Sequence, residues 1–135
     1  VLFGRLALAD APGELAGLAD ELTVLLPWGS LLAAVARPDA GGLAGLRALC
    51  KPGAAVRIVF GYGAAEVAAI RDLDLPPLDD AAGAQLAAAY RAAGVDVRAR
   101  FPLLDEVRAL PTSWAKRLAF SGRERRFMEL RGRAL

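Results

Sequence analysis

The chain has 135 residues, 56% of them apolar and 24% charged, with a formal net charge of +2. That length suggests one domain or part of one, and the apolar share supplies a substantial core and argues against disorder. The single cysteine, Cys50, allows no intrachain disulfide, and the lack of any histidine removes Ser-His-Asp and Cys-His catalysis and nearly excludes a zinc site.

In chain order, "LFGRLAL" (2–8) reads as a short apolar strand that ends at Ala9-Asp10. "PGELAGLAD" (12–20) places Leu15 and Leu18 at helical spacing, a short helix or turn. "ELTVLLP" (21–27) is a second strand whose near-continuous apolar run suits a parallel strand buried on both faces. Two helical pieces, 29–36 and 40–50, are split by "RPDAGG". "AAVRIVFGYG" (54–63) is a third strand, β-branched, aromatic and stopped by glycines. A helical stretch at 64–71 leads into the loop "DLDLPPLDD". The alanine-rich helix 81–93 is closed by Gly94, and "VDVRARF" (95–101) alternates as a fourth strand. Residues 105–120 read as mostly helical with an interruption at Pro111, and "RRFMELRGR" (125–133) as a last strand.

Alternating strands and helices predict an α/β protein with a mainly parallel sheet, because parallel strands need crossover connections. The segment before the last strand is too irregular for a standard crossover, so that strand is expected to insert antiparallel. Ligands in such sheets gather beyond the carboxyl ends of the strands. Ala9-Asp10, Leu26 to Ser30 and Gly61 to Gly63 fall there. No Gly-rich phosphate or nucleoside loop precedes the first strand, and "DAGGLAG" (39–45) lies between two helices, the wrong setting for one. The chain is therefore expected to be the C-terminal part of a larger domain. No apolar run is long enough for a membrane span and no secretory signal is visible, which predicts a cytoplasmic protein without membrane contact, a monomer by default.

Charge is unevenly placed. Residues 1–106 carry 9 basic and 13 acidic side chains, whereas residues 107–135 carry 8 basic and 2 acidic. A basic end on an acidic body is a candidate polyanion footprint; its alternative is an ordinary solvated strand. Arginines outnumber lysines 15 to 2, as a GC-rich genome would favour, but codon bias does not explain why the positive charge collects at one end.

"LPWGSLL" after a strand, paired with "LPTSWAKRLAF" (110–120) before a basic strand, resembles the aminoglycoside-resistance 16S rRNA (adenine-N1) methyltransferases. "LALADAPGELAGLADELTVLLPWGSLL" also resembles that family's run across its third and fourth strands. The resemblance implies a Rossmann-like class I S-adenosylmethionine-dependent methyltransferase fold with the N-terminal strands missing. Residues 1–135 would then supply strands three to seven of a single domain, with an RNA-binding basic tail at 107–135. It implies a base clamp of Trp28 and Trp114, with Pro27 aiming the first and its carbonyl near the target amine. Ala9, Asp10, Leu25, Ser30 and Thr112 would contact S-adenosylmethionine. Lys51, Arg71, Arg117, Arg123, Arg125 and Arg126 would hold phosphates of 16S rRNA in the small ribosomal subunit. No metal is implied.

The residues also admit plainer readings: core packing for either tryptophan, helix N-capping for Ser30 and Thr112, a solvated turn for Asp10. Two other functions stay open at this level, a noncatalytic or degenerate RNA-binding remnant and a Rossmann-like methyltransferase with a small-molecule substrate. For the RNA reading, the absence of histidine is no obstacle. Adenine N1 carries an in-plane lone pair, so methylation needs alignment rather than a general base.

Overall fold

The computed structural model describes residues 4, 5, 7–63, 74–113, 115, 117 and 125–135. Its centre is a four-stranded sheet of order β1-β2-β4-β3, formed by β1 (Ala19–Leu25), β2 (Cys50–Tyr62), β3 (Val95–Arg100) and β4 (Arg126–Ala134). β1 and β2 run parallel, while β4 lies antiparallel between β2 and β3, as the irregular connection before it predicted. The helices are α1 (Gly29–Ala36), α2 (Ala40–Leu49), α3 (Asp80–Ala92) and the short α4 (Leu104–Arg108). None of the described helices is long and apolar enough to cross a membrane.

Local chemistry explains the boundaries. Asp39 and Asp79 sit at the N-caps of α2 and α3, and their carboxylates accept from the N–H of Gly42 at 2.7 Å and of Ala82 at 2.8 Å. Gly94, at φ 88°, ends the turn after α3. β2 begins four residues earlier than its apolar run, at Cys50, because Ala19 pairs with Cys50 before a register shift accommodates "KPG". Pro52 therefore falls at an irregularity, where its missing N–H is tolerated.

Alternation along the strands separates two faces. Val56, Ile58 and Phe60 of β2, Val95 and Val97 of β3, and Met128 and Leu130 of β4 point to one face. There they pack under Leu32 and Val35 of α1, Leu43 and Leu46 of α2, and Leu86 and Tyr90 of α3. The Tyr90 hydroxyl donates to the Val35 carbonyl at 3.2 Å, tying α3 to α1, and burial pushes its pKa up. On the opposite face Leu26, Val59 and Phe127 pack against Val107, Leu110 and Ala115 in a smaller cluster. That cluster seats the segment holding Thr112 over the carboxyl end of the sheet.

The expected strand at 2–8 is corrected. Gly4, Arg5 and Ala7 have no regular structure, and Leu8–Asp10 forms a 3-10 turn. The apolar pattern was a signal of burial rather than of extension, because Leu8 packs against the main core while its backbone lies on α2. A Cβ at Gly45 of α2 would stand 1.8 Å from the Leu8 carbonyl oxygen, so only glycine permits this approach. Among the described residues the outer edge of β1 pairs with no strand. The sheet described is thus four strands rather than the five expected. The helix expected at 64–71 lies outside the described residues, as does most of the 114–124 stretch.

Candidate active site

The carboxyl end of β1 is built unusually. Leu26 holds φ 50°, a conformation rare for a bulky residue and costing about 1–3 kcal/mol, and it is fixed there by burial and by its N–H donating to the Val59 carbonyl at 2.7 Å. Pro27 follows, and then Trp28 occupies the N-cap of α1 with extended backbone and 61% exposure. Gly29, at φ 59°, makes the turn into the helix. The strained pair of turns thus swings the indole outward at the end of the strand. Trp28 is not a core plug.

Ser30 lies inside the first turn of α1, so it is not the helix cap. It lines a cavity of about 740 Å³ together with Ala7, Leu8 and Ala9 of the turn segment, and Leu22 and Val24 of β1. That volume is in the range of small-molecule sites. Arg37 and Asp39 add polar groups at its rim, with Arg37 paired to Asp74 at 3.3 Å. Asp10 is exposed at the end of the same turn as Ala9. Leu25 closes β1 and is half-buried against the second apolar cluster. Thr112 is half-buried just after α4, its carbonyl accepting from the Ala115 N–H at 3.2 Å.

The basic residues divide. Arg117 is exposed and Arg125 half-buried. Arg126 anchors the start of β4: one nitrogen donates to the Leu78 carbonyl at 2.9 Å and its guanidinium carbon lies 4.5 Å from the centre of the Phe101 ring. Lys51 stands apart from the others, at the amino end of β2, paired with Asp20 at 2.7 Å. Trp114, Arg71 and Arg123 lie outside the described residues.

One cluster was not anticipated from the sequence. Glu129 is 1% exposed in the middle of β4. Its carboxylate receives Arg57 of β2 at 3.1 Å, Arg100 of β3 at 2.6 Å and Arg131 of β4 at 3.5 Å. Arg100 also grips Glu106 of α4 at 3.0 and 3.1 Å. The Leu103 N–H, donating at 2.6 Å, and then Arg100 hold the Glu106 carboxyl below its usual range. Through this chain of charges the sheet fixes the start of the segment that carries Thr112. The alternation of "RFMELRGR" places Glu129 and Arg131 on one face, but nothing local shows that β2 and β3 bring arginines to meet them.

Comparison with known proteins shows the family and the fold. Residues 1–133 match the family described as NpmA, 16S rRNA (adenine(1408)-N(1))-methyltransferase. The chain belongs to this family. An Escherichia coli 16S rRNA (adenine(1408)-N(1))-methyltransferase is 35% identical over 136 residues, covering 98% of this chain and 62% of the relative. The Streptoalloteichus tenebrarius enzyme of the same name is 37% identical over 123 residues, covering 88% of this chain and 55% of the relative. A solved tryptophan-to-alanine mutant of the 16S rRNA (adenine(1408)-N(1))-methyltransferase from Catenulisporales acidiphilia, bound to its cosubstrate SAM, superposes with TM-score 0.76 at 34% identity. The match covers 96% of this chain and 59% of that one. The chain of this family member therefore spans somewhat over half the length of these relatives, and its sheet is part of a class I methyltransferase fold.

Proposed function

We propose that this chain is the C-terminal part of a single methyltransferase domain that transfers a methyl group to N1 of adenine 1408 in 16S rRNA. The observation that carries the reading is the exposed Trp28, held at the carboxyl end of β1 beside the cavity lined by Ala9 and Ser30.

The cavity fits one wall of an S-adenosylmethionine site. Ala9 and Ser30 share one volume of suitable size, the turn bearing Asp10 closes one side, and apolar Leu22 and Val24 form the floor. Asp10 would accept from the cofactor's adenine amine, and Ser30 would donate near its methionine portion, with Leu25 and Thr112 framing the site. When bound, S-adenosylmethionine supplies an electrophilic sulfonium methyl.

The chain's own residues do the alignment. Extracting a base from its helix costs a few kcal/mol. One aromatic platform returns about 1–3 kcal/mol by stacking. Trp28 presents such a face, and Trp114 is its proposed partner on the other side of the base. Pro27 sets the direction of Trp28 and offers its carbonyl to the adenine amine. Because N1 carries its own lone pair, no side chain has to remove a proton before attack, and holding N1 in line with the methyl is sufficient. Arg117, Arg123, Arg125 and Arg126 bind phosphates and set register, with Lys51 and Arg71 as outlying contacts. The basic stretch 107–135 is in this reading the RNA-binding tail. The protein acts as a cytoplasmic monomer on the small ribosomal subunit and confers aminoglycoside resistance.

The test uses the intact protein with S-adenosylmethionine and purified 30S subunits. A methyl on N1 blocks the pairing edge of adenine, so reverse transcription should stop next to nucleotide 1408. Methyl incorporation without that stop, or none at all, overturns the proposal.

A further inference from the structure

The segment that carries Thr112 is held to the sheet at two places of different character. α4 has five residues, too short to keep its shape without tertiary contacts. At its far end Val107, Leu110 and Ala115 bury against Leu26, Val59 and Phe127. Apolar contact is non-directional, so it keeps the segment down without fixing where along the sheet it lies. At the near end the Glu106 carboxylate accepts from the Leu103 N–H at 2.6 Å and from Arg100 at 3.0 and 3.1 Å. Arg100 donates its other terminal nitrogen to buried Glu129 at 2.6 Å. Charge-assisted forks of this kind fix geometry as well as supplying energy. A buried ion pair often stabilises no more than apolar side chains of similar volume, so direction is what this one adds.

Strand register ties both places to Trp28. Leu25 of β1 stands opposite Val59 of β2, Val59 opposite Glu129 of β4, and Glu129 opposite Arg100 of β3. One row therefore crosses the four described strands. It begins at the strand end that aims Trp28 and finishes at the guanidinium that grips Glu106. We propose that Arg100 and Glu106 are positioning residues for methyl transfer: through them, buried Glu129 sets the place of the Thr112 segment relative to Trp28 across a fixed width of sheet. The inference rests on the methyltransferase reading above. Trp114, two residues beyond Thr112 in the chain, is the group whose alignment this row governs.

Variants of the intact protein test the role. Arg100→Met keeps the apolar stem, leaves Glu129 with Arg57 and Arg131, and unties Glu106 from the sheet. Glu106→Gln keeps an acceptor for the Leu103 N–H but loses the charge that holds Arg100. At saturating 30S subunits, single-turnover transfer by Arg100→Met should slow by about 10- to 100-fold, the scale of a small misplacement. The half-saturating subunit concentration should stay near wild type, because long arginine side chains on phosphate follow a small shift and in-line attack does not. Glu106→Gln should slow transfer in the same way, and the double variant no further than Arg100→Met, since both act through one link. Hydrogen exchange should quicken over 103–113 while β2 and β4 keep wild-type protection. A wild-type protein that leaves 30S subunits unmethylated overturns the methyltransferase reading and this role with it. Wild-type transfer with an unchanged rate in Arg100→Met overturns the positioning role alone. So do additive losses in the double variant, and so does exchange that quickens equally in β2 and β4, the mark of a general loss of stability.

Discussion

Replacing Trp28 with alanine separates the two roles a tryptophan can have. An aromatic side chain offers roughly 150–250 Å² for burial. Trp28 is 61% exposed, so folding hides about 80 Å² of it. At about 25 cal/mol per Å² that is worth at most about 2 kcal/mol, and less once contacts in the unfolded chain are discounted. A core tryptophan would cost about 3–5 kcal/mol on truncation. Function should suffer more than stability: loss of one stacking face removes about 1–3 kcal/mol, a fall of roughly 5- to 150-fold in kcat/KM. Trp28→Phe, which keeps an aromatic face, should recover most of the rate. The assay is single-turnover transfer of labelled methyl to 30S subunits by the intact protein, with denaturant unfolding of each variant alongside. Unchanged transfer by Trp28→Ala refutes the reasoning. A loss fully explained by the unfolded fraction, together with a stability cost above about 3 kcal/mol, refutes it equally.

Two further outcomes follow from the described geometry. Glu129→Ala strands three guanidinium groups, and the cost should lie near the lower end of the range for broken buried pairs, about 3 kcal/mol, because Arg57, Arg100 and Arg131 are 31%, 46% and 65% exposed and rehydrate; a change below about 1 kcal/mol in urea unfolding contradicts the network. Burial, and then the charge of Asp79, raises Tyr62 to about 12, above its ordinary 10. Its contribution is therefore fully present below pH 10 and lost as pH rises through about 12. Tyr62→Phe gives up the bond to the Pro76 carbonyl, about 1 kcal/mol at pH 8, yet should lose less stability than wild type between pH 10 and 12; identical alkaline slopes count against it.

Much of the architecture was legible because it depends on local rules. The helices 29–36 and 40–50, the stop at Gly94 and the alternation of 95–101 reappear as α1, α2, the end of α3 and β3. Periodicity and capping chemistry act over a few residues, and a sequence displays them directly. The antiparallel entry of β4 was legible too, from the lack of a crossover before it. The segment 2–8 misled because an apolar run records burial without saying whether a strand ladder or a helix surface does the burying. Leu8 found α2.

For the site, the sequence alone singled out "LPWGSLL", the basic end and the family likeness, since those are statements about which residues stand together in the chain. It could not show that Trp28 faces outward, which depends on the positive φ of Leu26 and Gly29 at the strand end. Nor could it show Ser30 sharing a cavity with Ala9, 21 positions earlier. The arginine cluster around Glu129 is the furthest from sequence reasoning. Arg57, Arg100 and Arg131 are ordinary alternating charges in three separate strands, and they become one cluster only when strand register, a long-range property set by the whole sheet, lines them up around Glu129.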